Sequence, residues 1–149
     1  MSEAVIISGI LGGCGLLITL TYNYKNTQLA NHKMQKELFT EFNKRYNDLN
    51  DDLNLLSNSS LAHFTAWFLP EDQIRIKATI YDFFNLCAEE YYWHKKKRIP
   101  TKVWISWEKG MNDIYNRSEV IQKMWDEECQ NGSHISYYIE KKDDFFKLR

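Results

Sequence analysis

Glycine and proline are scarce in this chain, and what there is falls unevenly. Of its six glycines and two prolines in 149 residues, four glycines lie between Ala4 and Tyr22. Beyond that stretch only Pro70, Pro100, Gly110 and Gly132 interrupt the backbone. A fold of short strands needs turn residues roughly every ten positions, so long helices are favoured over a turn-rich β fold. Cysteine is equally thin: Cys14, Cys87 and Cys129 stand far apart. That spacing supports neither a disulfide framework nor a zinc site, and it suits a reducing compartment. The net charge of −1 removes any global field that would gather nucleic acid or acidic partners.

Catalytic signatures are missing as well. No Walker-type glycine loop, G-x-S-x-G elbow or H-E-x-x-H pair occurs. The histidines, His32, His63, His94 and His134, have no ligand-type partner at the spacing of a helix-face metal site. Solvated or capping roles are expected for them. Glu89–Glu90 and Asp126–Glu127–Glu128 read as solvated helix faces rather than acid–base pairs, because such work requires burial to perturb a carboxyl. The reading is a non-enzymatic protein without a cofactor.

What is present is one long apolar run. Ala4 to Tyr22 (AVIISGILGGCGLLITLTY) holds nineteen residues without a charge. As a helix it covers roughly 28 Å, close to the ~30 Å hydrocarbon core of a bilayer. A signal peptide fits poorly, since the short flank before it carries only Glu3 and no small-x-small cleavage site follows. A soluble core helix seldom runs so long without charge. The sequence therefore predicts a transmembrane segment over residues 1–24 and a cytoplasmic helical domain over 25–149. Lys25, Lys33 and Lys36 behind the span orient that domain to the cytoplasm of a bacterial inner membrane, with Tyr22 and Tyr24 at the interface.

Within the span, Gly9 and Gly13 form a G-x-x-x-G pair, and Ser8 and Gly12 form a second small pair one residue earlier. Small residues four apart let helix backbones approach closely in lipid, so these four are the candidate packing residues of a homo-oligomer. No ionisable side chain lies in the run to mark an ion path, so a pore is permitted and not required.

The remainder predicts an all-α bundle of about five helices, the first continuing the membrane helix. Met34, Leu38, Phe42, Leu49, Leu53 and Leu56 recur at helical spacing among Glu37, Glu41, Lys44 and Asp48. Ser60 is placed as the cap of a short helix to Phe68. Pro70 opens a helix with Ile74, Ala78, Tyr81, Phe84, Cys87, Ala88 and Tyr91 inward. Val103, Trp104, Trp107, Met111 and Ile114 mark the next, and Ser118 caps one with Ile121, Met124 and Trp125 inward, closed at Asn131–Gly132. Residues 133–149 are assigned to a sixth helix. Trp93, Trp104, Trp107 and Trp125 are read as core.

A cationic cluster, Lys95, Lys96, Lys97 and Arg98, follows Tyr91–Tyr92–Trp93. Aromatics beside cations suit phosphates with stacked bases or anionic lipid headgroups. Cations at a helix C-terminus also complement its dipole. The cluster is the candidate anionic-partner patch.

Phe42 to Leu49 (FNKRYNDL) and Ile80 to Met111, with Phe84–Asn85–Leu86–Cys87–Ala88–Glu89 near its start and Trp125 beyond, resemble short bacterial single-pass helical membrane proteins of unknown function. The order of membrane helix, stalk and tryptophan-rich helical domain is also similar to the small membrane accessory protein of type VI-B CRISPR systems. That family is a divergent HEPN-like one associated with pores in antiphage defence. The resemblance implies an oligomeric, pore-forming accessory of bacterial defence. Catalytic HEPN ribonucleases carry Arg-x(4–6)-His, and none of Arg45, Arg75, Arg98, Arg117 or Arg149 stands that far ahead of a histidine. The alternatives are a membrane-tethered adaptor that docks one protein partner, and a degenerate HEPN-like module that binds RNA.

Overall fold

The computed structural model describes residues 3–56, 60, 63–64, 69–130 and 132–147, with the side chains of residues 3–11 and 133 outside the description. Helix α1 is Glu3–Leu55, α2 Pro70–Lys95, α3 Thr101–Arg117 and α4 Glu119–Gln130, followed by a 3₁₀ turn at Ser133–Tyr137. No strand occurs among the described residues, so the all-helical class stands. The chain divides into two units, Met1–Leu38 and Phe39–Arg149.

The predicted membrane span is not supported at this level. No helix among the described residues is long and apolar enough to cross a membrane. Side chains of Ala4–Leu11 lie outside the description, and Gly12–Tyr22 alone covers only about 16 Å. In the first unit, residues 12–30 are exposed at every position, Leu16, Leu17, Ile18 and Leu20 included.

Local signals explain most helix ends of the second unit. Pro70 sits in the first turn of α2, where its missing N–H costs nothing, and Glu71 and Asp72 complement the dipole. The α2 C-terminus closes in a Schellman arrangement. The Arg98 N–H reaches Trp93 O at 3.0 Å and the Lys97 N–H reaches His94 O at 2.8 Å. Lys97 takes the left-handed position at φ 57° that glycine usually fills. Pro100 precedes α3, and Ser118 Oγ accepts from the Ile121 N–H at 3.4 Å to start α4. Ser60 Oγ accepts from His63 N–H at 3.2 Å as a cap does, while Leu61, Ala62 and residues 65–68 of that expected helix lie outside the description.

The core is aromatic. Phe83, Phe84, Trp125 and Phe145 are fully buried, with Phe146 and Tyr115 nearly so. Phe84 meets Trp125 edge-on at 5.0 Å, and Tyr115 stacks on Phe146 at 4.6 Å. Each such pair adds about 0.5–1.5 kcal/mol beyond its burial. From α1, Phe42, Leu53 and Leu56 are buried as the stripe predicted. Of the predicted tryptophan core, Trp125 and Trp104 are buried, whereas Trp93 and Trp107 are half-buried.

Two expectations are corrected. The inward face of α2 is Ile76, Ile80, Phe83, Phe84, Cys87, Ala88 and Glu90, while Ile74 and Tyr81 are exposed. Residues 138–147 are not a sixth helix. Tyr138, at φ 59°, leaves the helical region, and the segment returns as an irregular strap. Asn112 on α3 holds that strap. Its Nδ2 donates to Glu108 O at 2.7 Å and Phe145 O at 2.8 Å, and its Oδ1 accepts from the Lys147 N–H at 2.6 Å. Asn116 Nδ2 donates to Lys147 O at 3.0 Å, and Trp125 Nε1 to Lys142 O at 3.1 Å. Side chains here do what a helical ladder would otherwise do for buried backbone.

Candidate functional site

The second unit contains a cleft of about 200 Å³ where α1, α2 and α3 meet. Tyr46 enters from α1, Phe83 and Leu86 from α2, and Trp107 and Met111 from α3, so the walls are largely apolar. Trp107 is fixed by edge-on contacts with Phe39 at 5.4 Å and Phe42 at 5.7 Å. Gly110 also lines the cleft, and a Cβ added there would meet nothing within 4 Å. The space therefore stays open where α3 lacks a side chain.

One carboxyl faces this apolar space. Glu90 is 7% exposed, and burial pushes its carboxyl up to about 8. The Arg45 charge partly opposes that shift, and the Glu89 charge adds to it. Glu89 itself takes the arginine: Arg45 Nη1 donates to Oε2 at 2.7 Å and Nη2 to Oε1 at 3.1 Å. That two-pronged pair uses the guanidinium fork, and Arg45 acts on Glu90 through its charge alone. Burial also raises the Tyr46 phenol and, strongly, the Cys87 thiol beside it, so Cys87 is a small apolar wall rather than a nucleophile.

The expected solvated faces thus divide. Glu89 is half-exposed and paired, whereas Glu90 is buried, against the expectation. Asp126 pairs with Lys142, and Glu128 Oε2 accepts from the Tyr137 hydroxyl at 3.2 Å. A signal for Glu90 was present in the sequence. Phe83, Cys87 and Glu90 follow one another at steps of four and three, which puts the acid on the face that buries the phenylalanine.

The basic patch ends α2. Lys95, Lys96, Lys97 and Arg98 are all exposed. Lys95 Nζ lies 5.6 Å from the Tyr91 ring centre and Lys96 Nζ 5.4 Å from that of Tyr92, so two of the cations rest on aromatic faces. His94 stacks on Trp104 at 4.6 Å with its Nδ1 buried and unpartnered. The four cations share one end of the bundle and are not brought to the cleft by any contact shown. Among the described residues no group of three His, Cys, Asp or Glu side chains is placed to hold a metal ion.

Of the helix-packing residues, Ser8 and Gly9 lie outside the described side chains. Gly12 and Gly13 are exposed on α1, and a Cβ at either, or at Gly15, would meet nothing within 4 Å. No contact among the described residues uses the room that Gly12, Gly13 and Gly15 leave. No family model, curated protein or solved structure matches this chain.

Proposed function

We propose that the protein is a non-enzymatic, membrane-anchored helical protein that assembles into a homo-oligomer through the glycine-rich part of α1. One observation carries the reading. Residues 12–22 present leucine, isoleucine and tyrosine to the outside on every side of a helix, with no charge among them. An all-round apolar helix is stable when lipid or partner helices surround it, not in water. Its polar groups are already quieted. Thr19 Oγ1 donates to Gly15 O at 2.9 Å, and Thr21 Oγ1 to Leu17 O at 2.7 Å. Hydroxyls bonded back to the preceding turn lower the cost of hydrocarbon contact.

The unused room at Gly12, Gly13 and Gly15 supports self-association. A glycine within a helix costs about 1 kcal/mol relative to alanine. Close approach of a second backbone offsets that cost in lipid. The basic residues after the run orient Phe39–Arg149 to the cytoplasm of a bacterial inner membrane. In its sharper form, which rests on the resemblance of layout, the assembly is a pore-forming accessory of antiphage defence.

The mass of the full-length protein in mild detergent tests the proposal, with light scattering corrected for bound detergent. A single high-order oligomer that Gly9→Leu with Gly13→Leu dissolves supports it. A monomer at micromolar concentration overturns the assembly, and the tethered adaptor replaces it. Protein that stays in the supernatant of carbonate-washed membranes overturns the anchor itself.

A further inference from the structure

The cleft in the Phe39–Arg149 unit has a feature that assembly of α1 does not use: a carboxyl group aimed into apolar space with no cation of its own. We infer that this cleft is a binding site for a small organic ammonium ion, with Glu90 as its counter-ion and Tyr46, Phe83 and Trp107 around its apolar body.

Three observations meet on that assignment. Glu90 is 7% exposed and lines the cleft, and Arg45 and Glu89 act on it through charge alone. Arg45, whose charge acts on Glu90, spends both of its terminal nitrogens on the two oxygens of Glu89. The walls are three aromatic side chains with Leu86 and Met111, and about 200 Å³ between them is open. A neutral apolar ligand would leave the carboxyl without a polar partner, and an anion would find no cation in the cleft lining to hold it. An ammonium ion on an apolar stem satisfies both parts. Its head pairs with the carboxylate, and its charge is also favoured over aromatic faces.

Binding carries a proton signature. The empty cleft keeps Glu90 protonated at neutral pH, since burial holds its carboxyl up at about 8. An arriving ammonium favours the ionised form, so the acid releases its proton to solvent as the ligand enters. No such release accompanies a ligand held by apolar contact alone.

Isothermal titration of the full chain in a non-ionic maltoside detergent tests this, with benzylammonium chloride as the probe, benzyl alcohol as its neutral counterpart and a detergent-only blank. Saturable one-to-one binding is expected in the millimolar range or tighter, on the order of what about eight non-hydrogen atoms can achieve. The heat should depend on the buffer's ionisation enthalpy, because a proton is released. Glu90→Gln should weaken benzylammonium by about tenfold or more and leave benzyl alcohol unchanged. Gly110→Leu, which fills the cleft from a position with free space, should remove binding of both. Circular dichroism and melting of each variant confirm that it folds. Equal affinity for the two probes overturns the assignment. So does benzylammonium binding that survives Glu90→Gln, or no binding to wild-type protein with an intact melt.

Discussion

Leu17 and Leu53 belong to the same helix and obey opposite rules. Leu17 lies in a stretch where every described residue from Gly12 to Ala30 is exposed, and is itself 66% exposed. Leu53 is 2% exposed and belongs to a core of stacked aromatics. The Gly12–Tyr22 part of the first stretch is apolar all round and packs against nothing among the described residues. The second is amphipathic, with Asn47, Asp48 and Asp51 outward and Phe42, Leu53 and Leu56 inward. A single helix thus changes the kind of surroundings it is built for along its length. Hydrophobic residues on one side of a helix imply a fold, and on all sides they call for lipid or partner helices around it.

Truncating the two leucines separates these regimes most widely. Leu53→Ala should cost about 4 kcal/mol in the unfolding of the Phe39–Arg149 unit, because a fully packed site cannot collapse around the void. Leu17→Ala should leave that transition unmoved. Thermal or denaturant melts followed by tryptophan fluorescence, in detergent throughout, read both. A matching loss from Leu17→Ala would show that the exposed stretch is part of the same cooperative unit, and the contrast would fail.

The next largest effect is a pH dependence inside the core. Glu90 titrates near 8 in the folded protein against 4.5 in an unfolded chain. Between those values the folded state keeps a proton that the unfolded state has lost, so stability falls as pH rises from about 4.5 through about 8. Arg45 from α1 opposes the shift, while Glu89 and burial beneath the aromatic walls set it. Glu90→Gln should abolish that slope and make the variant several kcal/mol more stable than wild type at pH 9, at about 1.4 kcal/mol for each unit of the shift, and under about 1 kcal/mol more stable at pH 5. An unchanged slope in the variant would mean that another group carries the proton.

Asn112→Ala should come third, at about 2 kcal/mol. It removes the bond donated to Phe145 O and the one accepted from the Lys147 N–H, both on the strap, with a third to Glu108 O inside α3. Hydrogen exchange should accelerate at the Lys147 amide and leave the middle of α2 protected. Uniform acceleration would instead make the strap part of the global transition.

Much of this was legible in the residues, and the failures have identifiable causes. Pro70, Pro100 and Ser118 announced their helix starts because each acts through its own backbone or hydroxyl. The α1 stripe and the inward Ile121, Met124 and Trp125 followed from spacing alone. The phase of α2 did not, because two adjacent rows of apolar residues run along it. Anchoring on Ile74 and Tyr81 chose the row that reaches solvent, and this also turned Glu90 outward. The last segment was misread for a different reason. Its Ile135, Tyr138, Ile139, Phe145 and Phe146 mimic helical spacing, yet its backbone is satisfied by Asn112, Asn116 and Trp125, which are distant in sequence. Tertiary partners of that kind leave no local mark.

The smallest effect probes the turn after α2, where structure and charge compete for one residue. Lys97 occupies the left-handed position of a Schellman cap, a conformation that an L residue with a Cβ holds at a cost of about 1 kcal/mol. Glycine would remove that cost but give back part of it as unfolded-chain freedom. Lys97→Gly should therefore raise stability by about 0.5 kcal/mol, while Lys97→Ala, which keeps the Cβ, should change it by less. Binding of the full chain to vesicles of phosphatidylglycerol with phosphatidylcholine supplies the second reading. If the cluster meets anionic headgroups, both variants should weaken binding to a similar degree, by roughly the 1 kcal/mol that one surface lysine contributes. A stabilised Lys97→Gly protein with unaltered vesicle binding would assign the lysine to the turn and its dipole, and the anionic partner would have to be sought elsewhere.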